Sequence, residues 1–438
     1  MCFTSILFFS IFKQTPTTMK KRDFIKKISL AALGTPLYAS VLNSCIEEVA
    51  ATPASKLSSN EDFWLKVRSD YKLKPDYINL ESGYYNIIPT PTLEALHKHI
   101  NMVNYEGSYY MRTKRVNDKK RMAAKLAAII KSPSKNVIIT RNTTESLDLV
   151  IKGMDWKTGD EAVYAIQDYG AMRVMFEQVA NRFGVINKII SVPNHPKSDE
   201  EIVDIYANAI TSKTKLLMVC HMINISGHIL PIKKICKMAH SKGVKVMVDG
   251  AHCVGHFEFD IKELGCDFYG SSLHKWLAVP LGTGLLYVAD EYIDTTWPIF
   301  ASHNKELGNI AKLNHTGTNP VYHDLSIENA IDYYNMLGGA RKEARLRYLQ
   351  EYWTKQVRDL PKIILNTPKE SHKACGIANV GIEGIIPTDL AKRLMDEYKI
   401  FTVGINGKVV RGCRITPNVF TTIDELDAFV AALKEMAA

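Results

Sequence analysis

Residues 246–288 read VMVDGAHCVGHFEFDIKELGCDFYGSSLHKWLAVPLGTGLLYV, and this stretch decides both the fold and the chemistry to expect. It holds three apolar runs of strand type, and polar side chains follow the first two of them. Asp249 ends the first run, and Lys275 comes 26 residues later (275 − 249), just after Ser272 and His274. Polar residues placed at strand ends in this way are typical of a binding site at one edge of a sheet.

The alternation of strands and helices extends outward from this stretch over most of the chain. Apolar runs of strand type lie at 136–140, 162–166, 188–192 and 215–222, ahead of the runs at 244–252 and 284–290 that overlap this stretch. Helical patterns separate them at Glu145–Lys152, Met172–Phe183, Glu200–Thr211 and Ile232–Lys242. Because the strands are apolar on both faces, the pattern predicts an α/β fold with a mainly parallel sheet that helices cover on both sides.

A polar group follows nearly every predicted strand. These groups lie at 142–144, 168–169, 221–224, 249–252 and 271–275. They supply a lysine, an aspartate, a histidine, an aromatic ring and several hydroxyls. Neither G-x-G-x-x-G nor the phosphate-loop pattern G-x-x-x-x-G-K-[ST] occurs, so nothing here indicates a dinucleotide site. The set suits a cofactor that carries an aldehyde, a pyridine nitrogen and a phosphate.

Beyond about residue 325 the pattern changes to a smaller α+β region. A long charged helix is predicted through Ser326–Val357. Its exposed side is expected to carry Arg341, Lys342, Glu343, Arg345 and Arg347, as a solvated face. Short strand-like runs follow, and an amphipathic helix over Thr422–Met436 closes the chain.

With these features the sequence resembles the pyridoxal-phosphate enzymes of the class V aminotransferase family, which have fold type I. That family includes isopenicillin-N-epimerase-like proteins, cysteine desulfurases and kynureninases. The resemblance runs from about Tyr77 to the C-terminus and rests on D-x-A-H at 249–252 followed by S-x-H-K at 272–275. It implies pyridoxal 5′-phosphate as the cofactor, and a homodimer whose subunits share their active sites.

The resemblance also implies the domain organisation. We expect a large domain with a mostly parallel seven-stranded sheet covered by helices, and a smaller α+β domain. The expected boundaries are 1–45 for a leader, 46–90 for an N-terminal segment that joins the small domain, 91–325 for the large cofactor-binding domain and 326–438 for the small domain.

The central residues receive their roles from the resemblance and from their chemistry. Lys275 is expected to bond to the cofactor aldehyde and to serve as acid and base at the substrate α-carbon. Asp249 would pair with the protonated pyridine nitrogen, and His252 would contact the ring oxygen. The competing interpretations are a helix cap for Asp249 and a structural histidine for His252.

The cofactor phosphate is expected at the start of the helix after 136–140, where Thr143 and Thr144 offer main-chain N–H groups. Both threonines could instead act as a simple N-cap. Ser272 and His274 match two further phosphate contacts of the family. Thr318, in His-Thr-Gly-Thr at 315–318, matches a phosphate contact that comes from the partner subunit.

Three more residues match positions of the family around the cofactor and substrate. Tyr169 corresponds to an aromatic ring over the cofactor face, and Asn224 to an asparagine beside the ring oxygen. Arg414 corresponds to an arginine that grips a substrate carboxylate, for which its planar guanidinium is suited. A core tyrosine and a structural ion pair are the competing interpretations of Tyr169 and Arg414.

One departure from the family bears on the reaction. Cysteine desulfurases carry a nucleophilic cysteine on a loop shortly before the position of Arg414, where this chain reads FTVGINGKVVRGC. Cys413 stands in a strand-like run, so we expect it to be buried and inert. The sequence therefore favours an aminotransferase or an epimerase that acts on the amino group of an amino acid or related amine. A lyase or cysteine desulfurase, and a protein that binds the cofactor without turnover, are the alternatives.

Composition excludes several other classes of protein. The eight cysteines are scattered among 438 residues without a C-x-x-C pair, which disfavours a disulfide scaffold and a structural zinc site, and no metal is expected. The net charge is +9, of which +5 lies in residues 1–45, so the rest of the chain does not predict nucleic-acid binding. The body of the chain has no run of eighteen apolar residues that would predict a transmembrane segment.

The first 45 residues have the pattern of a targeting segment. Translation is expected to start at Met19, which begins MKKRDFIKK, and an apolar stretch then leads to LNSC at Cys45. KRDFIKK resembles a twin-arginine export signal with Lys21 in place of the first arginine, and LNSC resembles a lipoprotein cleavage box. We therefore expect export to the periplasm or a membrane-anchored lipoprotein. A disordered or anchored arm on a cytoplasmic protein is the alternative.

Overall fold

The computed structural model describes residues 51–438 together with Ile46 and Val49. The leader predicted over residues 1–45 lies outside the described residues, so export and lipidation at Cys45 stay predictions. Among the residues that are described, no helix combines the length and the apolar character needed to cross a membrane.

A seven-stranded sheet forms the larger part of the fold, as predicted from the sequence. Its strands are β2 Val137–Thr140, β3 Glu161–Ala165, β4 Ile186–Ile190, β5 Thr214–Cys220, β6 Lys245–Asp249, β7 Phe268–Ser272 and β8 Gly284–Val288. Their order across the sheet is β2-β8-β7-β6-β5-β3-β4. Strand β8 runs antiparallel to both of its neighbours, whereas the other neighbouring pairs are parallel.

Helices precede this sheet in the chain, connect its strands and follow it. They are α1 Ala54–Leu57, α2 Glu61–Arg68, α3 Thr90–Glu106, α4 Ser108–Thr113, α5 Arg115–Ile129, α6 Thr143–Gly153, α7 Gly170–Phe183, α8 Asp199–Ala209, α9 Ile232–Ser241, α10 Ile261–Leu264 and α11 Asp290–Ile293. Alternate residues of β5 enter different hydrophobic clusters, Leu217 and Val219 on one face and Leu216 and Met218 on the other. Since both faces are buried, the strands need apolar residues at every position, which is the pattern that the sequence shows.

A second, four-stranded antiparallel sheet lies in the C-terminal part. Its strands are β9 Ile363–Leu365, β10 Ala378–Ile382, β12 Val403–Asn406 and β13 Arg411–Ile415, in the order β12-β13-β10-β9. The short strands β1 Ile78–Asn79 and β11 Ile400–Phe401 form a parallel pair, which ties the N-terminal segment to this region. Helices α14 Pro387–Tyr398 and α15 Ile423–Ala437 complete it, and a capping box between Thr422 and Glu425 begins α15.

The single long helix predicted over Ser326–Val357 is wrong. The structure has two helices instead, α12 Val321–Leu337 and α13 Gly339–Val357. Gly338 separates them with a φ of +88°, a left-handed backbone conformation that glycine adopts without a Cβ clash. The two consecutive glycines at 338–339 are the signal of this break that the helical pattern concealed.

The predicted solvated face of this helix is also wrong in part, because Arg345 and Lys342 are buried. Arg345 pairs with the Glu61 carboxylate at 2.5 Å and donates to the main-chain oxygens of Ser58 and Thr421. Lys342 donates to the main-chain oxygen of Trp276. Their partners lie far away in the sequence, so local charge patterning could not reveal them.

Candidate active site

A cavity of about 270 Å³ opens at the carboxyl ends of the parallel strands. Ten of the residues singled out in the sequence line it: Thr143, Thr144, Tyr169, Asn224, Asp249, His252, Ser272, His274, Lys275 and Arg414. They come from the ends of five different strands or from the residues that follow them, and β13 supplies the arginine. The rule that ligands of α/β sheets bind at carboxyl strand ends therefore describes this chain well.

One end of the cavity is suited to an anion. Helix α6 begins there at Thr143, and the Asn142 side chain caps it by accepting from the main-chain N–H of Glu145 at 2.9 Å. Ser272, at the end of β7, accepts from the main-chain N–H of Thr143 at 3.0 Å, and its Oγ lies 2.7 Å from Thr143 Oγ1. The main-chain N–H of Thr144, the hydroxyls of Thr143 and Ser272 and the positive end of the helix dipole favour a phosphate at this point.

The chain comes unusually close to itself beside this anion-binding end. A Cβ on Gly284 would lie only 2.7 Å from the α-carbon of Asn142, so a larger residue at the start of β8 would push the capping residue away.

The side-chain Nδ1 of His274, also on the cavity wall, is buried and has no hydrogen-bond partner. Burial, reinforced by Lys275, lowers the pKa of His274 to about 4, so the ring is neutral at neutral pH. A buried polar atom without a partner on the cavity wall fits a site that a ligand completes.

Lys275 lies on the cavity wall and is half-buried. Burial lowers the pKa of its ammonium group to about 8, although Asp249 counteracts this effect. The Lys275 Nζ atom lies 3.0 Å from Nε2 of His252. A lysine that loses its proton near neutral pH is a competent nucleophile toward an aldehyde.

The tautomer of His252 follows from a contact that the sequence did not reveal. The indole N–H of Trp276 donates to His252 Nδ1 at 3.3 Å. Burial lowers the pKa of His252 well below its usual value, so the ring is a neutral imidazole with one N–H group. Because Nδ1 accepts, that proton belongs on Nε2, which can donate to Lys275 once the lysine has lost its own proton.

Asp249 supplies a buried carboxylate at the end of β6. Its Oδ1 accepts from the main-chain N–H of Ala251 at 2.9 Å. Burial raises its pKa, whereas that hydrogen bond and the nearby Lys275 lower it. A cationic ring nitrogen next to this carboxylate would stabilise its ionised form. No larger residue than glycine fits at the adjacent position 250, because a Cβ there would lie 2.0 Å from the Tyr269 ring.

Tyr169 and Asn224 line the cavity with side chains that make few contacts of their own. Tyr169 precedes α7 and is 47% exposed, so the competing interpretation of a core tyrosine is not what the structure has. The side-chain oxygen of Asn224 is buried without a hydrogen-bond partner, as expected of a group that faces a ligand. Together with the anion-binding end, Lys275 and Asp249, these groups fit a phosphorylated pyridine aldehyde.

Arg414 lines the cavity but already has a carboxylate partner in this chain. Its Nη2 lies 2.5 Å from Oε1 of Glu81, and its Nε donates to Oε2 at 3.2 Å. The structural ion pair that the sequence left open as the competing interpretation is therefore present. Glu81 follows the apolar run YINL, and this acid after a short strand is the signal that sequence reasoning missed.

Thr318 is the one predicted site residue that does not line the cavity. It is exposed, in a segment between the 3₁₀ turn Ile310–Asn314 and helix α12. Its predicted contact is with the phosphate of the partner subunit, which a single chain does not test. Thr318 therefore stays a prediction.

Comparison with known proteins identifies the family. Residues 88–416, most of the chain, match the family model described as aminotransferase class-V. The isopenicillin N epimerase of Streptomyces clavuligerus is 25% identical over 387 residues, which cover 84% of this chain and 97% of that protein. A probable cysteine desulfurase of Synechocystis sp. is 25% identical over 348 residues, which cover 74% of this chain and 82% of that protein.

Solved structures agree with the fold. A C-DES mutant with glycine covalently linked to its pyridoxal-phosphate cofactor matches this chain with a TM-score of 0.75 and 20% sequence identity, over 84% of this chain and 98% of that chain. The mostly parallel seven-stranded sheet and the resemblance drawn from residues 246–288 are thus both confirmed. With the family model matching from before the first strand of the large sheet to the end of β13, this chain belongs to the class V aminotransferase family.

Proposed function

We propose that this chain is a pyridoxal-phosphate-dependent enzyme that acts on the amino group of an amino acid or related amine, as an aminotransferase or an epimerase. The cofactor is pyridoxal 5′-phosphate, as family membership and the pyridoxal-phosphate adduct of a solved neighbour indicate. The observation that carries the proposal is that the Lys275 amine shares one cavity with the Asp249 carboxylate and the anion-binding start of α6.

Each residue has a defined task in this proposal. The bound cofactor supplies an aldehyde carbon and an electron-withdrawing ring. Lys275 would hold the cofactor at that carbon until the substrate amine takes its place, and the freed lysine amine would then remove or return the proton at the carbon next to the substrate amine. The Asp249 carboxylate would keep a proton on the ring nitrogen. Ser272 and the start of α6 would hold the phosphate.

The alternative reaction is that of a cysteine desulfurase or other lyase, since relatives with that name exist. A desulfurase of the persulfide type needs a reactive thiolate. Cys413 is fully buried, and burial raises the pKa of its thiol to about 11. Cys220 lines the cavity, but burial and the carboxylates of Asp168 and Asp249 raise its pKa well above the usual value. Both thiols are protonated at neutral pH, which favours chemistry without a cysteine nucleophile.

The test is an absorbance screen of the yellow holoprotein against a panel of amines and amino acids, followed by product analysis. We expect Cys413→Ser to retain turnover of the best substrate within about twofold, because general acid–base chemistry at Lys275 needs no thiol. An exposed substitution, Ser241→Ala, is the matched control. If cysteine is the best substrate, sulfide is released and Cys413→Ser abolishes its release, then the desulfurase alternative is correct.

The shared active site of a homodimer is the second part of the proposal. Thr318 is exposed and outside its own cavity, as a residue that serves a partner subunit would be. We expect Thr318→Val to weaken cofactor binding by about tenfold, the usual value of one hydrogen bond to a charged group. Cofactor release on dilution, followed together with the sedimentation coefficient, measures this. A demonstrated monomer that keeps the cofactor with unchanged affinity would contradict the shared site.

A further inference from the structure

The ion pair between Glu81 and Arg414 occupies the position at which a substrate carboxylate would be expected to bind. The Glu81 oxygens lie against Nη2 and Nε of Arg414, at 2.5 Å and 3.2 Å. This is the side-on, two-point geometry with which a guanidinium recognises a carboxylate. The side chains of Arg414 and Glu81 are 9% and 6% exposed, so the pair is screened little by solvent.

Glu81 is held in place by its own surroundings. Its Oε1 also accepts from the main-chain N–H of Tyr84 at 2.8 Å. The following main chain is attached to Thr416, whose Oγ1 accepts from the N–H groups of Ser82 at 2.6 Å and Gly83 at 3.1 Å. Thr416 comes two residues after Arg414 in the same segment, so both partners of the ion pair are fixed to one framework.

The main chain at Gly83 packs against the face of the Arg414 guanidinium. A Cβ at Gly83 would lie 3.0 Å from Cζ of Arg414 and 3.1 Å from Nε and Nη2, so the guanidinium packs closely against the main chain here. The remaining nitrogen, Nη1, donates to the main-chain oxygen of Asn224 at 3.4 Å. A substrate carboxylate would therefore meet a guanidinium whose two-point edge is taken and whose charge is neutralised.

We infer that Glu81 determines specificity by acting as a built-in carboxylate: the site prefers amines whose reacting carbon bears no ionised carboxylate, such as amides or simple primary amines. This inference rests on the proposed function and narrows its substrate class. Replacement of Glu81 by a neutral residue frees the Nε and Nη2 edge of the Arg414 guanidinium. It also leaves an uncompensated positive charge at the cavity wall, which attracts an α-carboxylate.

The experiment compares amino acids with their amides on the full-length holoprotein. The pairs are L-alanine with L-alaninamide, L-phenylalanine with L-phenylalaninamide, and L-lysine with L-lysinamide. The absorbance of the bound cofactor gives an apparent Kd for each compound. The acid-to-amide affinity ratio is then compared between wild type and Glu81→Gln, so that the different basicities of the amines cancel. Glu383→Gln, at an exposed position, is the matched control.

We expect Glu81→Gln to raise the acid-to-amide ratio by about tenfold or more, the value of one charged hydrogen bond. The double variant Glu81→Gln with Arg414→Gln removes both charges of the pair and serves as the second test if the single variant fails to fold. It is expected to keep the wild-type acid-to-amide ratio. An unchanged ratio in folded Glu81→Gln, or a selective loss of acid binding in the double variant, would overturn the inference. If no compound of any pair changes the wild-type absorbance, the proposed function itself fails.

Discussion

Replacement of Lys275 by alanine is expected to lower kcat by roughly 10²–10⁴-fold, which is the usual contribution of general acid–base catalysis. Lys275 is the one lysine among the described residues that line the cavity, so no second lysine stands ready to take its place. The measurement is the initial rate of the best substrate found in the absorbance screen, with the variant loaded with cofactor.

The matched control for this variant is Lys213→Ala, at an exposed position outside the cavity. It is expected to keep wild-type kcat. A Lys275→Ala protein that holds the cofactor and turns over at the wild-type rate would contradict the assignment of Lys275 as nucleophile and base.

The second large effect is expected for Asp249→Asn. The variant keeps the shape of the side chain but removes the charge that stabilises a cationic ring nitrogen. Loss of one partner of a buried ion pair costs about 3–5 kcal/mol. Since about 1.4 kcal/mol corresponds to a factor of ten, we expect kcat to fall by roughly 10²–10³.

Asp168→Asn is the control for Asp249→Asn. Asp168 is also a buried aspartate after a strand, but it does not line the cavity, and its Oδ2 accepts from the main-chain N–H of Ala165 at 2.7 Å. Asp168→Asn is expected to retain most of kcat. An Asp249→Asn protein with bound cofactor and wild-type kcat would show that the carboxylate does not act on the ring.

The sequence predicted the large sheet and most of the cavity wall because both follow from a local rule. Strands that are buried on both faces are apolar at every position, and the polar residues directly after them come together where the parallel strands end. Thr143, Asp249 and Lys275 are each found by this rule, without knowledge of which strands are neighbours in the sheet.

The missed features depend on partners that are distant in the sequence. Glu81 and Arg414 are 333 residues apart, and no local pattern connects them. The burial of Arg345 likewise depends on Glu61, 284 residues earlier. Charged residues on a helical pattern are usually solvated, so a sequence alone predicts exposure until the partner is known.

The most direct test of the whole account is borohydride reduction of the native holoprotein, followed by proteolysis and mass spectrometry of the labelled peptide. Reduction fixes the bond between the cofactor and the lysine that holds it. We predict that the cofactor mass is found on the peptide containing Lys275, and that Lys275→Ala carries no label at that site. A label on a peptide containing a different lysine would contradict the account.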